Sequence, residues 1–250
     1  MRTEPPAIPS LPMPDWTRLQ AIPIHECGER LQPASLCLEW LTWPAYFHQR
    51  ISGAVPECHL RQGVFDRLLD AARALPEGLQ LVVLDGWRPF SVQQYLYDTL
   101  LNLMQHASPE MSEEELVRRA RELVSPPSTD IDAPSPHLTG GAVDVCLADA
   151  DGRLIDMGTL FDEASPLSFT AALEAEDADH SMQALMARHH RRILYRAMTS
   201  AGFTNLPSEW WHYDFGDQLW AWYSGEPSAR YSATHLPSLE HLWQQQLAPR

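Results

Sequence analysis

The chain has 250 residues, 44% of them hydrophobic, enough to bury one sizeable core, and carries a formal net charge of -15. That acidic excess excludes a phosphate-neutralising surface, so neither a nucleic acid nor a polyanionic substrate is expected. All 18 basic residues are Arg, and the lack of Lys excludes Schiff-base chemistry, a Walker-type phosphate loop and a lysine general base.

Cys27, Cys37, Cys58 and Cys146 form no CxxC pair, so reduced thiols are expected rather than a zinc knuckle or a disulfide frame. No apolar run has the length of a signal peptide's core, and no stretch of about 18 uncharged apolar residues is present to span a membrane. The expectation is a cytoplasmic chain.

Residues 1 to about 35 are Pro-rich and weakly periodic, which predicts an arm that is extended on the domain or partly disordered; residues 36–250 are expected to form a single domain. From Leu36 to Tyr46 the apolar and aromatic residues are dense, which suits a short strand and loop at the pocket edge or simply core, and core is the expected role. Val64, Leu68, Leu69, Ala72 and Leu75 recur at helical spacing until Pro76 and Gly78 break the pattern. Leu79 to Leu84 reads as a buried strand that delivers the turn Asp85-Gly86-Trp87-Arg88-Pro89. On this motif alone, Arg88 either pairs with a surface acid such as Asp85 or serves a site.

Ser91 to Gln105 reads as a helix with Ser91 as its cap, and Ser112 to Val124 as a second helix opened by Ser112 and Glu115. A Pro-, Ser- and Asp-rich loop then leads into His137. His137 and Asp144 stand seven residues apart across a glycine pair, where a tight turn can bring them together. Period-two alternation sets Asp144 on one face of a strand and Val143, Val145 and Leu147 on the other. Cys146 shares the Asp144 face and is expected to be a buried thiol.

Asp149 to Gly152 suits a hairpin, and Met182 to Gly202 suits a helix on which His189 and His190 point along different faces, which argues against a metal role for them. Near the C-terminus, Glu209-Trp210-Trp211-His212 offers another imidazole and, three residues before it, a carboxylate. Two His and one Asp give three protein ligands. A catalytic zinc needs three and an open fourth position, which holds the water whose pKa the metal lowers.

Three motifs, Ser135-x-His137-x-x-Gly140-x-Ala142-x-Asp144, Glu209-x-Trp211-His212 and Asp85-Gly86-Trp87-Arg88-Pro89, resemble those of the D-alanyl-D-alanine dipeptidases, zinc metallopeptidases associated with vancomycin resistance and dipeptide salvage. The likeness spans about Leu79 to Phe215, including Asp156-Met157-Gly158 followed by Phe161-Asp162. Residues 1 to about 60 match loosely, and the segment from Leu100 to Ser135 is longer or differently built.

The resemblance implies an α+β fold in which a small antiparallel sheet carries the zinc ligands and helices pack on it. It implies one Zn2+ held by His137, Asp144 and His212, with Glu209 as general acid/base and Arg88 stabilising the oxyanion. Ser135 and Asp162 fall in motifs that close the pocket around the ammonium end of a free dipeptide. The implied activity is hydrolysis of D-alanyl-D-alanine or related dipeptides by zinc-bound water. Two other readings stay open: a carboxypeptidase acting on peptidoglycan stem peptides, and a non-catalytic zinc-binding module of the kind seen in Hedgehog signalling domains.

Overall fold

Helical and alternating apolar patterns resolve into an α+β architecture in the computed structural model, which describes residues 4–239 together with 243, 246 and 247. Asp15 caps α1 (Trp16–Gln20) by accepting from the Thr17 and Arg18 amides, and Leu19 buries this helix against Leu206 and Leu219. After β1 (Leu31–Pro33), the aromatic segment divides into β2 (Trp40–Thr42) and a one-turn α2 (Ala45–His48). Trp40 and Tyr46 are buried there, but Leu38 is 99% exposed, so core holds for only part of the segment.

β3 (His59–Arg61) pairs with β1 and runs straight into α3 (Gln62–Arg73), which buries Val64, Leu68 and Ala71. β4 (Leu79–Asp85) follows, then α4 (Phe90–Ala107) and α5 (Glu113–Leu123). Ser112 caps α5 through the Glu115 amide. On α4 the cap position falls to Pro89 and not to Ser91, which lies in the first turn. The one-turn α6 (Pro136–Thr139) leads into β5 (Ala142–Asp149), and the turn after β5 closes with the Asp149 amide on the Arg153 carbonyl. α7 (Met182–Ser200), β6 (Thr204–Asn205), β7 (His212–Asp214) and α8 (Gln218–Ser224) complete the fold.

The main sheet has the order β2-β4-β5-β7-β6, antiparallel throughout except for the parallel edge pair of β2 and β4. Val143, Val145 and Leu147 of β5 join one core with Val64 and Leu68 of α3 and Leu194 and Met198 of α7. Burying these side chains supplies most of the folding drive, at about 25 cal/mol per Å² of apolar area. Among the described residues, no helix is long and apolar enough to cross a membrane.

Candidate active site

An irregularity in β4 between Val83 and Asp85 sets Asp85 opposite Asp144, and Asp144 in turn stands opposite His212 on β7. Directly opposed residues on antiparallel strands project from the same face, so three polar side chains fall in one row across the sheet. His137 arrives from outside the sheet, on α6. Pro136 starts that single turn and Gly140 ends it at φ 72°, a left-handed conformation open to glycine. A Cβ at Gly140 would also meet Leu31 Cδ2 at 2.5 Å. Two of the three expected ligands therefore sit on the sheet and the third on a helical turn.

His137, Asp144 and His212 are all buried, and each offers a donor atom within 4.8 Å of the others. His137 Nε2 lies 3.2 Å from His212 Nδ1 and 3.4 Å from Asp144 Oδ2, while His212 Nδ1 lies 3.1 Å from Asp144 Oδ1. Donors held tetrahedrally about 2.0–2.2 Å from a zinc ion stand roughly 3.3–3.5 Å apart, so the set fits that ion.

Hydrogen bonds on the far side of each ring fix which nitrogen faces inward. His137 Nδ1 donates to the Gly86 carbonyl at 2.8 Å, and His212 Nε2 donates to Asp214 Oδ1 at 2.9 Å. Gly86 has little choice of residue, because a Cβ there would meet the His59 carbonyl oxygen at 2.5 Å. With those nitrogens turned outward, His137 Nε2, His212 Nδ1 and the Asp144 carboxylate converge on one point, where a cation takes the place of any proton held there. Burial lowers the His212 pKa, but Asp214 and Asp144 outweigh it and hold the pKa well above the usual value. On Asp144 burial raises the pKa, and His137 with His212 more than reverse that.

Behind His212, the Asp214 carboxylate is fully buried and meets a second buried acid, Asp217. Burial first, and then Asp214, keep the Asp217 proton on well above the usual carboxylate range. Asp217 Oδ1 accepts from the Trp220 amide at 2.9 Å, while Asp214 Oδ1 faces His212 Nε2.

Arg88 is buried beside the donor set and is no surface residue. Its Nε donates to Asp85 at 2.7 Å, Nη1 to Gln93 at 2.7 Å, and Nη2 to Tyr46 at 3.2 Å and Asp144 at 3.1 Å. Four of its five N–H groups are thus engaged. Burial works against its charge, yet Tyr46, Asp85, Asp144 and Asp162 outweigh burial and keep it protonated. Pairing with Asp85 and facing the site prove compatible, because Asp85 and Asp144 are neighbours in the row.

Glu209 Oε2 stands 3.7 Å from His212 Nδ1. Burial pushes its carboxyl up to about 8; Asp144 and Asp162 add to the rise, while His212 and Arg88 oppose it. The buried Asn205 amide holds the turn that carries Glu209, donating at 2.9 Å to both the Glu209 and His212 carbonyls.

Asp162 lines the same pocket as Glu209, Arg88 and the three donors. It has φ 65°, a conformation Asp tolerates better than most residues, and its Oδ2 accepts from the Tyr46 hydroxyl at 3.0 Å. Burial is the main cause that pushes its carboxyl up to about 6. Ser135, by contrast, is not brought to the pocket. Its hydroxyl donates to the Pro126 carbonyl at 2.9 Å and accepts from the Ser128 amide at 2.8 Å, so the loop backbone satisfies it.

Cys146 stays apart from the donors as a buried thiol pushed up to about 12 by burial, and His190 is bonded to the Asp156 carbonyl. Tyr46, Gln93, Asn205 and Asp214 are site residues that sequence reasoning did not single out. For Asp214 a signal existed, since it shares a strand face with His212 two residues away. Tyr46 lies 42 residues from Arg88 and had none.

Residues 58–235 match the family model described as D-ala-D-ala dipeptidase. The D-alanyl-D-alanine dipeptidase of Synechocystis sp. is 33% identical over 219 residues, covering 81% of this chain and 88% of that protein. The D-alanyl-D-alanine dipeptidase of Escherichia coli is 31% identical over 203 residues, with 81% and 86% covered. Among solved structures, VanYB in complex with D-alanine-D-alanine aligns with TM-score 0.40 and 18% identity over 70% of this chain and 81% of that one. With the family model matched over most of its length and relatives alike along four-fifths of it, the chain belongs to the D-alanyl-D-alanine dipeptidase family.

Proposed function

We propose that this chain is a zinc-dependent dipeptidase that hydrolyses D-alanyl-D-alanine or a closely related dipeptide. One observation carries the reading: in a member of this family, three lone-pair donors converge at zinc-ligand separations, with a proton-holding carboxyl and a fixed guanidinium beside them. Zinc, when held by His137, Asp144 and His212, supplies a Lewis acid that lowers the pKa of water.

Glu209 moves the protons. It takes one from water as the water attacks the peptide carbonyl and returns it to the leaving amine, and the ionised carboxylate that a nearby dication favours is the form that accepts the first proton. Arg88 keeps its charge and stabilises the negative charge that develops on the carbonyl oxygen. Its protein hydrogen bonds hold the guanidinium in advance, so little reorganisation accompanies the reaction. Asp162 supplies a carboxylate for the free ammonium of a dipeptide. We infer a cytoplasmic setting as well, supported by four cysteines that are all unpaired, and a single catalytic domain over residues 36–250 with residues 1–35 as its arm.

The test is hydrolysis of free D-Ala-D-Ala, its N-acetylated form and L-Ala-L-Ala, each with and without a chelator. Cleavage of the free D,D-dipeptide that a chelator abolishes is expected. Cleavage that survives the chelator, or none at all, would contradict the reading, and equal kcat/KM for free and acetylated forms would favour a carboxypeptidase.

A further inference from the structure

The room beside the three donor atoms is about 20 Å³, enough for one water molecule and little more. A dipeptide therefore extends beyond it. Leu96, Leu123, Val124, Asp162, Glu209 and Trp211 line this room and also line an adjoining groove of about 200 Å³. The far wall of the groove is one face of α4, where Thr99, Leu100 and Leu103 follow Leu96 at helical spacing. Leu123 at the end of α5 and Val124 just beyond it close the groove.

Size and charge identify the occupant. An apolar cavity of about 150 Å³ admits benzene, so a leucine or phenylalanine side chain fits a groove of this volume. Asp162 and Glu163 stand along it, and among the described residues no basic side chain lines it. Such a rim favours an ammonium and repels a carboxylate, which directs the N-terminal residue of a dipeptide into the groove and its C-terminal carboxylate away.

We propose that the groove between α4 and the loop carrying Asp162 is a subsite for the N-terminal side chain, and that the protein takes dipeptides whose N-terminal residue is larger and more apolar than alanine. This rests on the dipeptidase reading. Burial of the extra methylenes against Thr99, Leu100 and Leu103 compensates for any loss of fit near the metal.

The experiment compares kcat/KM for D-Ala-D-Ala, D-Leu-D-Ala and D-Ala-D-Leu on zinc-loaded full-length protein and on Thr99→Phe, which fills the groove. D-Leu-D-Ala is expected within about tenfold of D-Ala-D-Ala or better, with its ratio to D-Ala-D-Ala falling at least about tenfold in Thr99→Phe. Leu103→Trp, at the exposed mouth, should lower the same ratio and serves if Thr99→Phe does not fold. A D-Leu-D-Ala rate more than about tenfold below D-Ala-D-Ala, a preference confined to D-Ala-D-Leu, or a ratio unmoved by the variants overturns the subsite. If D-Ala-D-Ala itself is not cleaved, the dipeptidase reading falls, and the subsite with it.

Discussion

Asp214 Oδ1 accepts the Nε2 proton of His212 at 2.9 Å from two residues along the same strand, so β7 carries both an inward-facing imidazole and the group that orients it. The bond leaves Nδ1 as the lone pair facing Asp144 and His137. Partners of this kind typically contribute about 10–100-fold in metal affinity. Asp214→Asn, close in shape but neutral, should weaken zinc by that order in a chelator competition while far-ultraviolet circular dichroism stays unchanged. Undiminished affinity would show that His212 keeps its orientation without the carboxylate.

Glu209 holds its proton up to about 8 through burial. A dication a few ångströms away favours the ionised carboxylate, so in protein stripped of metal, zinc binding near pH 7 should expel that proton. Well above pH 8 the carboxyl is already ionised and the extra release disappears. Calorimetry in buffers of different ionisation enthalpy should find Glu209→Gln releasing close to one proton fewer near pH 7, with zinc still bound. The same variant should lose about 10²–10⁴-fold in kcat. Identical proton release in the two proteins would remove Glu209 from the cation's surroundings.

Arg88 meets Asp85, Gln93, Tyr46 and Asp144 with a planar fork that a point-charge ammonium cannot reproduce. Arg88→Lys is therefore not conservative. It should lower kcat by about 10²–10³-fold with KM less affected, and lower Tm because buried acceptors lose their donors. Near-normal turnover would reduce Arg88 to a structural role.

Much of the donor set was legible because it is local: His137 and Asp144 flank one glycine turn, and Glu209 and His212 share a turn closed by the His212 amide on the Glu209 carbonyl. The strand alternation that put Asp144 opposite Val143 and Val145 reappears in the core those valines join. What could not be read is what packs on the site from far along the chain. Tyr46 reaches Arg88 only through the fold, and the row Asp85, Asp144, His212 depends on a strand irregularity that no residue type announces. The motif containing Ser135 pointed to the pocket, but its hydroxyl is taken by the backbone of its own loop, as short polar residues routinely are. Proline likewise displaced Ser91 at the start of α4: Pro89 takes the cap position, and Ser91 falls inside the first turn.

Asp162, pushed up to about 6 by burial, changes charge within reach of an assay. Above that pH its carboxylate pairs with the ammonium of a free dipeptide; below it the neutral acid offers no such pairing. The advantage of free over N-acetylated D-Ala-D-Ala in kcat/KM should therefore be at least about a hundredfold near pH 7.5 and shrink as pH falls through about 6. Asp162→Asn should show a smaller, pH-independent advantage. An advantage that grows on acidification would rule Asp162 out as the ammonium partner.

We propose that one cation, held by His137, Asp144 and His212, makes this site hydrolytic. The most direct test is to strip the protein with a chelator, add zinc back in steps, and follow bound metal and D-Ala-D-Ala hydrolysis together. Activity should rise linearly and level off at about one equivalent per chain, and the His137→Ala, Asp144→Ala and His212→Ala proteins should neither retain zinc nor regain activity. Full hydrolysis by the stripped protein, or full zinc occupancy in His212→Ala, would contradict the account.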